Sequence, residues 1–340
     1  MPPRITYDLP DDRIALHPSR PRDACRLMVI KLPSLQIDHI LFSGIGKYLS
    51  AGDVVAVNDS SVIGARLTGR KLSGGSVEFL LLERNGDLWK ALGRPAARLR
   101  AGMEVSVEKN RKRATVKIEG KEAGGVLYLK APPDIIEYGL TPLPPYIASR
   151  RSAAKKDKND YQSIFASKSG SVAAPTSSLH FTGRLVRKLM GKGVAFAPVT
   201  LHIGAGTFRP GEKPESERYE LSPASAGILN RGTRICVTGT TVMRTLQTVY
   251  TEKGFRPSEG RTGLYIEPGF RFRAAQMFLT NFHLPETSLL DMVAAYIDQH
   301  HPGRGGALLV DLYREALSLG YRFLSYGDSM LLISEDAGVG

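Results

Sequence analysis

The stretch TGRLVRKLMGKGVAFAPVTLHI, Thr182–Ile203, carries two periodicities in succession. Thr182 is a side chain suited to capping a helix N-terminus, and Leu185, Val186, Leu189 and Met190 follow at the spacing of one helical face. Gly191 or Gly193 stops that helix, and Val194–Ile203 then reads as a strand. A helix feeding directly into an apolar strand is the unit of a layered α/β domain.

The same alternation continues towards the C-terminal side. Arg234–Thr238 reads as a strand, followed by Gly239-Thr240-Thr241 and a helix carrying Val242, Leu246, Val249 and Tyr250. A strand ending near Thr280 leads to a helix from about Thr287 to Gln299. A last helix carries Leu308, Leu309, Leu312, Tyr313 and Ala316, and a final strand contains Met330–Ile333. On the N-terminal side, Arg26–Leu32 and Gln36–Phe42 are β-rich, and Asp53–Asn58 is an apolar run of the kind buried on both faces of a sheet. Between Gly64 and Lys130 the pattern changes to short strands, Ser76–Glu83, Leu88–Gly93, Met103–Glu108 and Val126–Lys130, cut by turns such as Asn85-Gly86. The expected fold is therefore a discontinuous, layered α/β domain with a partly parallel sheet, residues 1–63 plus 146–340, into which residues 64–145 insert an antiparallel β-barrel. Arg150–Asp160 is charged and aperiodic, and predicts a mobile loop rather than a packed element.

The chain has 340 residues, 42% of them hydrophobic and 23% charged, enough to bury a sizeable core. No apolar run is long enough for a membrane-spanning helix, and Met1–Pro10 lacks the apolar core of a secretory signal. Cys25 and Cys236 are far apart and form neither a disulfide framework nor a zinc motif, which fits a reducing cytoplasm. The formal net charge of +13 is localised: Arg66–Lys130 holds 15 Lys/Arg against 7 Asp/Glu, a difference of +8, and Ile147–Gly170 holds 6 against 2, a difference of +4. Such clustering is the footprint of a polyanionic partner.

Four segments are too polar or glycine-rich for core packing yet follow expected strands: APTSSLHFT (Ala174–Thr182), LHIGAGTFRP (Leu201–Pro210), TGTTVMR (Thr238–Arg244) and TNFHLP (Thr280–Pro285). In open α/β sheets ligands collect at the carboxyl ends of the strands. Gly204 and Gly206 flank Ala205 without completing a dinucleotide fingerprint, since Arg209 stands where its third glycine would be. Gly239-Thr240-Thr241 opens a helix whose free N–H groups suit a carboxylate or phosphate, or simply form a cap. His180, His202 and His283 supply imidazoles for proton transfer near neutral pH, and a structural role is the competing reading of each. Phe181 and Phe208 offer aromatic faces to a cation, with core packing as the alternative. Asp328, in SYGDSM, sits in a turn whose chemistry alone accounts for it.

Taken in order, these segments resemble the S-adenosylmethionine:tRNA ribosyltransferase-isomerases of queuosine biosynthesis. The resemblance runs through YDLPDDRIALHP (Tyr7–Pro18), RDACRL (Arg22–Leu27), VNDSSVIGARL (Val57–Leu67), GRPAARLRAG (Gly93–Gly102), GLTPLPPYI (Gly139–Ile147) and YQSIFA (Tyr161–Ala166). The four polar segments follow, then LYIEPGFRF (Leu264–Phe272) and YRFLSYGDSML (Tyr321–Leu331). Membership implies an α/β domain with an inserted barrel. It implies transfer of the ribosyl portion of S-adenosylmethionine to the aminomethyl group of 7-aminomethyl-7-deazaguanine at a tRNA wobble position, with loss of adenine and methionine, to give epoxyqueuosine. S-adenosylmethionine is then a co-substrate, no metal is required, and tRNA is the macromolecular partner of a cytoplasmic monomer with no membrane association.

For such a reaction His180, His202 or His283 supplies a base or protonates adenine, and the residues do not decide among them. Pro175, Thr176, Phe181, Gly204, Gly206, Thr207, Phe208, Arg209, Thr240, Thr241, Arg244, Asn281 and Asp328 are the candidates for holding S-adenosylmethionine. Arg66, Arg94, Arg98 and Arg100 are the candidates for RNA contact. The chain departs from the family where Ser177-Ser178 replace Ala-Gly, where Ser60-Ser61 replace Thr and a basic residue, at Met243 and Asp291, and in Pro210–Tyr219, which lacks a His-x-Met-His segment and retains at most Glu217 as a counterpart. A catalytically silent tRNA-binding protein and a conventional methyltransferase are the competing classes. Charge reversal at Arg98 and Arg100 is expected to weaken tRNA binding and flatten its salt dependence while leaving binding of free S-adenosylmethionine intact, as read from tRNA titrations at several salt concentrations.

Overall fold

The computed structural model describes residues 4–32, 34–109, 111–122, 125–204 and 216–334. In chain order its strands are β1 (Arg26–Leu32), β2 (Gln36–Leu41), β3 (Val54–Asn58), β4 (Ser60–Val62), β5 (Arg66–Lys71), β6 (Ser76–Asn85), β7 (Leu88–Arg94), β8 (Glu104–Lys109), β9 (Lys112–Lys121) and β10 (Val126–Lys130). They continue with β11 (Lys168–Ser171), β12 (Ala195–Leu201), β13 (Glu217–Leu221), β14 (Ile235–Thr238), β15 (Tyr250–Thr251), β16 (Gly254–Phe255), β17 (Ser258–Thr262), β18 (Met277–Asn281) and β19 (Ser329–Ser334). The helices are three single turns, α1 (Ile135–Tyr138), α2 (Pro145–Ala148) and α3 (Asp157–Asp160), and five longer ones, α4 (Gly183–Gly191), α5 (Pro223–Asn230), α6 (Gly239–Val249), α7 (Ser288–Asp298) and α8 (Gly305–Ser318).

Nine strands form the main sheet in the order β17-β13-β12-β3-β14-β18-β19-β1-β2. The pairs β12–β3, β3–β14, β14–β18 and β19–β1 are parallel, and the remaining pairs are antiparallel. All five residues of β3 and all four of β14 are buried, as strands covered on both faces require. One face packs against α5, α6, α7 and α8 in the largest core cluster, and the other against α4 and the Phe42–Lys47 turn. Thr182 caps α4 as its residue type suggests: its Oγ1 accepts from the Leu185 amide at 3.2 Å and donates to Asp23 Oδ2 at 2.9 Å.

Strands β10-β7-β6-β5-β8-β9 close into a barrel, so the layered α/β fold with an inserted antiparallel barrel is the observed architecture. Its interior is apolar, with Leu67, Phe79, Leu81, Val105, Val116 and Leu127 among the buried side chains. Two of its strands, β5 and β9, escape a reading based on hydrophobic runs. In β9 Ala114, Val116 and Ile118 point inward while Arg113, Thr115, Lys117 and Glu119 alternate with them, so the period of two is present beneath a high charge content.

The Arg150–Asp160 segment differs from the mobile loop expected. Asp157 and Asp160 are buried, Arg151 meets Asp157 with two bonds of 2.7 and 2.8 Å, and Arg20 reaches Asp160 at 2.5 Å. Charges that read as solvated in the sequence are neutralised by partners up to 140 residues away, which no local pattern reveals.

The chain enters and leaves the barrel side by side. Arg66 and Leu140 exchange backbone hydrogen bonds of 3.1 and 2.8 Å at this neck. A Cβ on Gly139 would stand 1.7 Å from the Gly64 carbonyl oxygen, so only a hydrogen fits there. Gly139→Ala is accordingly expected to force the neck apart and destabilise the protein by about 3 kcal/mol, measurable as a lower midpoint in denaturant unfolding.

Candidate functional site

The carboxyl ends of the central strands are tied together by buried polar side chains. Asn58, at the end of β3, donates from Nδ2 to the Leu201 carbonyl of β12 at 3.0 Å and to Thr241 Oγ1 of α6 at 3.4 Å, while its Oδ1 accepts from the Ser60 amide at 2.8 Å. Asn281, at the end of β18, donates from Nδ2 to the Leu324 carbonyl at 3.1 Å and meets His180 Nε2 at 3.1 Å. These ties leave a cavity at the same sheet edge. Its walls are Ala174–Ser177, Gly239–Thr241, Asn281–Leu284 and Leu324–Ser325, with Tyr146, Ile203, Thr287 and Leu289 completing them. The four polar segments singled out in the sequence therefore converge on one place.

His283 is the imidazole of this cavity. Its Nε2 is 2.8 Å from Thr280 Oγ1, and Nδ1 has no hydrogen-bond partner among the described residues. Its main chain is held independently, the amide donating to the Tyr313 hydroxyl at 3.1 Å and the carbonyl accepting from the Tyr7 hydroxyl. Burial without a compensating charge pushes its pKa down to about 3, so the ring is neutral at physiological pH with one nitrogen turned to the cavity. The adjoining wall contains Leu324 at φ 70°, a backbone conformation that a leucine rarely adopts and that marks local strain.

His180 is placed differently. Because two carbonyls, Leu324 and Asp328, face Asn281 Nδ2, the amide orientation is set and His180 Nε2 must accept; Nδ1 then carries the proton and faces Cys25 Sγ at 3.2 Å. The ring is sealed beneath the cavity wall, and burial lowers its pKa to about 4. Phe181 is fully buried among Phe42, Phe165 and Phe196. Asp328 spends both oxygens on the backbone amides of Arg26 and Arg322, at 2.8 and 2.7 Å. Arg244 is buried against Glu217 and donates to the Leu264 and Thr262 carbonyls at 2.9 and 3.0 Å, while Glu217 Oε1 accepts from the Gly204 amide at 2.9 Å. These four residues build the walls rather than face the space within them.

Pro175, Thr176, Thr240, Thr241, Asn281 and His283 do line the cavity. His202 and Gly204 line a second cavity between the barrel and the sheet, and Ile203 lines both cavities. Gly206, Thr207, Phe208 and Arg209 lie outside the described residues. Arg66 and Arg94 share a groove with Glu78 on the barrel wall, Arg66 standing 3.4 Å from Glu78, and Arg98 and Arg100 are exposed on the same barrel. Sequence reasoning assigned no role to Tyr146, Ser325, Leu324 or Thr280. Tyr146 and Ser325 are joined by a hydrogen bond across the cavity rim, and both belong to segments that carried the family resemblance, which was the available signal. The departure at Ser177 adds a buried hydroxyl to the wall, and that at Asp291 accepts from the Tyr265 hydroxyl at 2.7 Å.

Two buried neutral histidines make stability pH-dependent. Both folded pKa values, about 4 for His180 and about 3 for His283, lie below the unfolded value, so the unfolded chain takes up protons first on acidification. Their contribution favours folding at neutral pH and is lost as pH falls from about 6.5 towards those values, by up to about 1.4 kcal/mol per pH unit for each ring. Urea unfolding across this range is expected to show that slope, and His180→Gln is expected to reduce it by about one proton's worth.

Among the described residues no cluster of three or more His, Cys, Asp or Glu could hold a metal ion, and no helix is long and apolar enough to cross a membrane. The S-adenosylmethionine:tRNA ribosyltransferase-isomerase of Thermotoga petrophila is 39% identical over 343 residues, covering 96% of this chain and 98% of that protein. The enzyme of the same name from Moorella thermoacetica is 39% identical over 346 residues, again covering 96% and 98%. The crystal structure of S-adenosylmethionine tRNA ribosyltransferase from Thermotoga maritima aligns with a TM-score of 0.55 at 34% identity, over 97% of this chain and 99% of that one. The family described as queuosine biosynthesis protein matches residues 4–332, and with this coverage the chain belongs to that family.

Proposed function

We propose that this protein is an S-adenosylmethionine:tRNA ribosyltransferase-isomerase, with the sulfonium nucleoside held in the first cavity. The observation that carries the reading is the convergence of four separate loops on that cavity, around a helix N-terminus and a neutral imidazole. The free amides at Gly239–Thr241 and the dipole of α6 suit the methionine carboxylate. Pro175, Thr176 and Leu284 offer apolar and hydroxyl contacts to the rest of the nucleoside.

His283 is assigned the base. The sulfonium acidifies the adjacent 5′ carbon, and Nδ1 of a neutral imidazole takes its proton. As the imidazole becomes cationic the sulfonium becomes a neutral ylide, so the net charge of the cavity is unchanged. The burial that disfavours an imidazolium thus equally disfavours the cationic ground state it replaces. Attack by the aminomethyl group of 7-aminomethyl-7-deazaguanine, loss of adenine and methionine, and rearrangement of the ribosyl ring give epoxyqueuosine in tRNA. The base must leave the anticodon stack to be reached, and the basic barrel, with Arg66, Arg94, Arg98 and Arg100, is assigned the RNA backbone. A cytoplasmic monomer is part of this reading.

Incubation with S-adenosylmethionine and precursor-containing tRNA is expected to release adenine and methionine in equal amounts. Release of S-adenosylhomocysteine would identify a methyltransferase, and tRNA binding without turnover a silent paralogue. His283→Ala keeps the backbone bonds to Tyr7 and Tyr313 and is expected to lower kcat by about 10²–10⁴-fold while the affinity for S-adenosylmethionine stays within a few-fold.

A further inference from the structure

The second cavity is not used by the chemistry assigned to the first. It lies where the barrel mouth meets the end of β12, and its floor is apolar: Ile63, Leu82, Trp89 and Ile136 with Ile203. Its rim is charged, and the charges fall into two kinds. Arg261 is committed to Glu83 at 2.6 Å and to the Ser216 carbonyl, and Arg84 donates to the Gly86 carbonyl at 3.0 Å. Lys90 and Arg218 have no acidic or hydrogen-bonding partner among the described residues and stand as unspent cations over an apolar floor.

His202 sits between floor and rim, its amide donating to the Arg218 carbonyl at 2.9 Å. Its ring is pressed against Gly170, which has φ 145°; a Cβ there would come within 2.7 Å of His202 Nδ1. Nδ1 is buried on that side with no partner among the described residues. Nε2 is left for the cavity. Burial and then the charge of Arg218 lower the pKa, which keeps the ring neutral.

An apolar floor, two unpaired cations and a neutral imidazole are complementary to a nucleotide: a planar heterocycle below, phosphate oxygens above, and a polar base edge between. We infer that this cavity is the subsite for the extruded tRNA nucleotide that accepts the ribosyl unit, its base over Trp89 and Ile203, its edge at His202 Nε2 and its phosphates on Arg218 and Lys90. The inference rests on the function proposed above. It divides the two substrates between two cavities that Ile203 lines in common, so the reacting groups approach from opposite sides of one residue.

Trp89 is the only tryptophan in the chain, which makes its emission a direct report on this cavity. The probes are an anticodon stem-loop RNA carrying 7-aminomethyl-7-deazaguanine at the wobble position, the same RNA with an abasic site there, and S-adenosylmethionine alone. The modified RNA is expected to change Trp89 emission saturably, whereas the abasic RNA and S-adenosylmethionine leave it unchanged. The Lys90→Ala/Arg218→Ala variant is expected to need about tenfold more modified RNA for the same response, with a shallower salt dependence. A response to S-adenosylmethionine alone, equal responses to both RNAs, or no response at saturating RNA would overturn the assignment. Should the double variant fail to fold, the three wild-type titrations still decide. Adenine release by the wild type, measured in parallel, separates loss of this subsite from loss of the proposed function: turnover with a silent Trp89 removes only the subsite.

Discussion

A buried amide or carbonyl without a partner costs about 1–3 kcal/mol, and strands that end inside a protein create several at once. At the carboxyl edge of this sheet, side chains meet much of that requirement. Asn58 holds β3, β12 and α6 in one arrangement, and Asp59 beside it accepts from Thr200 Oγ1 at 2.7 Å and Ser167 Oγ at 3.2 Å. Asn281 performs the same task between β18 and the Leu324–Asp328 turn. The cavity exists because these bonds satisfy the strand ends without filling the space between them. Its shape is set by groups that have little freedom to move, which is what a reaction needing a defined approach requires.

Within that frame the three loop histidines have separate fates although their sequence settings look alike. His180 has both nitrogens engaged and lies behind the wall, His283 turns one nitrogen to the first cavity, and His202 belongs to the second. Burial keeps all three neutral. The positive charge near the site comes from arginines instead, and the most deeply buried, Arg244, is neutralised by Glu217 and serves to hold the ends of the Gly204–Glu217 segment to α6.

Much of the fold was legible because periodicity is a local property. The capped helix at Thr182, the strand through Val199, the doubly buried run ending at Asn58 and the helix opened by Gly239 are each written in residues that touch one another along the chain. So was the convergence of the four polar segments, since strand ends in such sheets point the same way. What the sequence did not disclose depends on distant partners. The burial of Asp157 and Asp160 is intelligible only with Arg151 and Arg20 in place. The sealing of His180 needs Cys25, 155 residues away, and the orientation of Asn281 needs the carbonyls of Leu324 and Asp328. Asp328 and Phe181 were open to a structural reading from the start, and long-range packing is what settled their surroundings.

The position of β19 carries a consequence for how the chain is assembled. This strand, among the last residues described, lies in the interior of the sheet between β18 and β1. While the polypeptide is still emerging from the ribosome, the hairpin β1–β2 has no neighbour on its inner side and β18 presents an open row of backbone donors and acceptors. The barrel, whose six strands are contiguous in sequence, can close early; the sheet cannot be completed until residues 329–334 have been translated and threaded between two waiting edges. Such edges are templates for pairing with other chains, so the nascent protein is most exposed to aggregation just before residues 329–334 join the sheet.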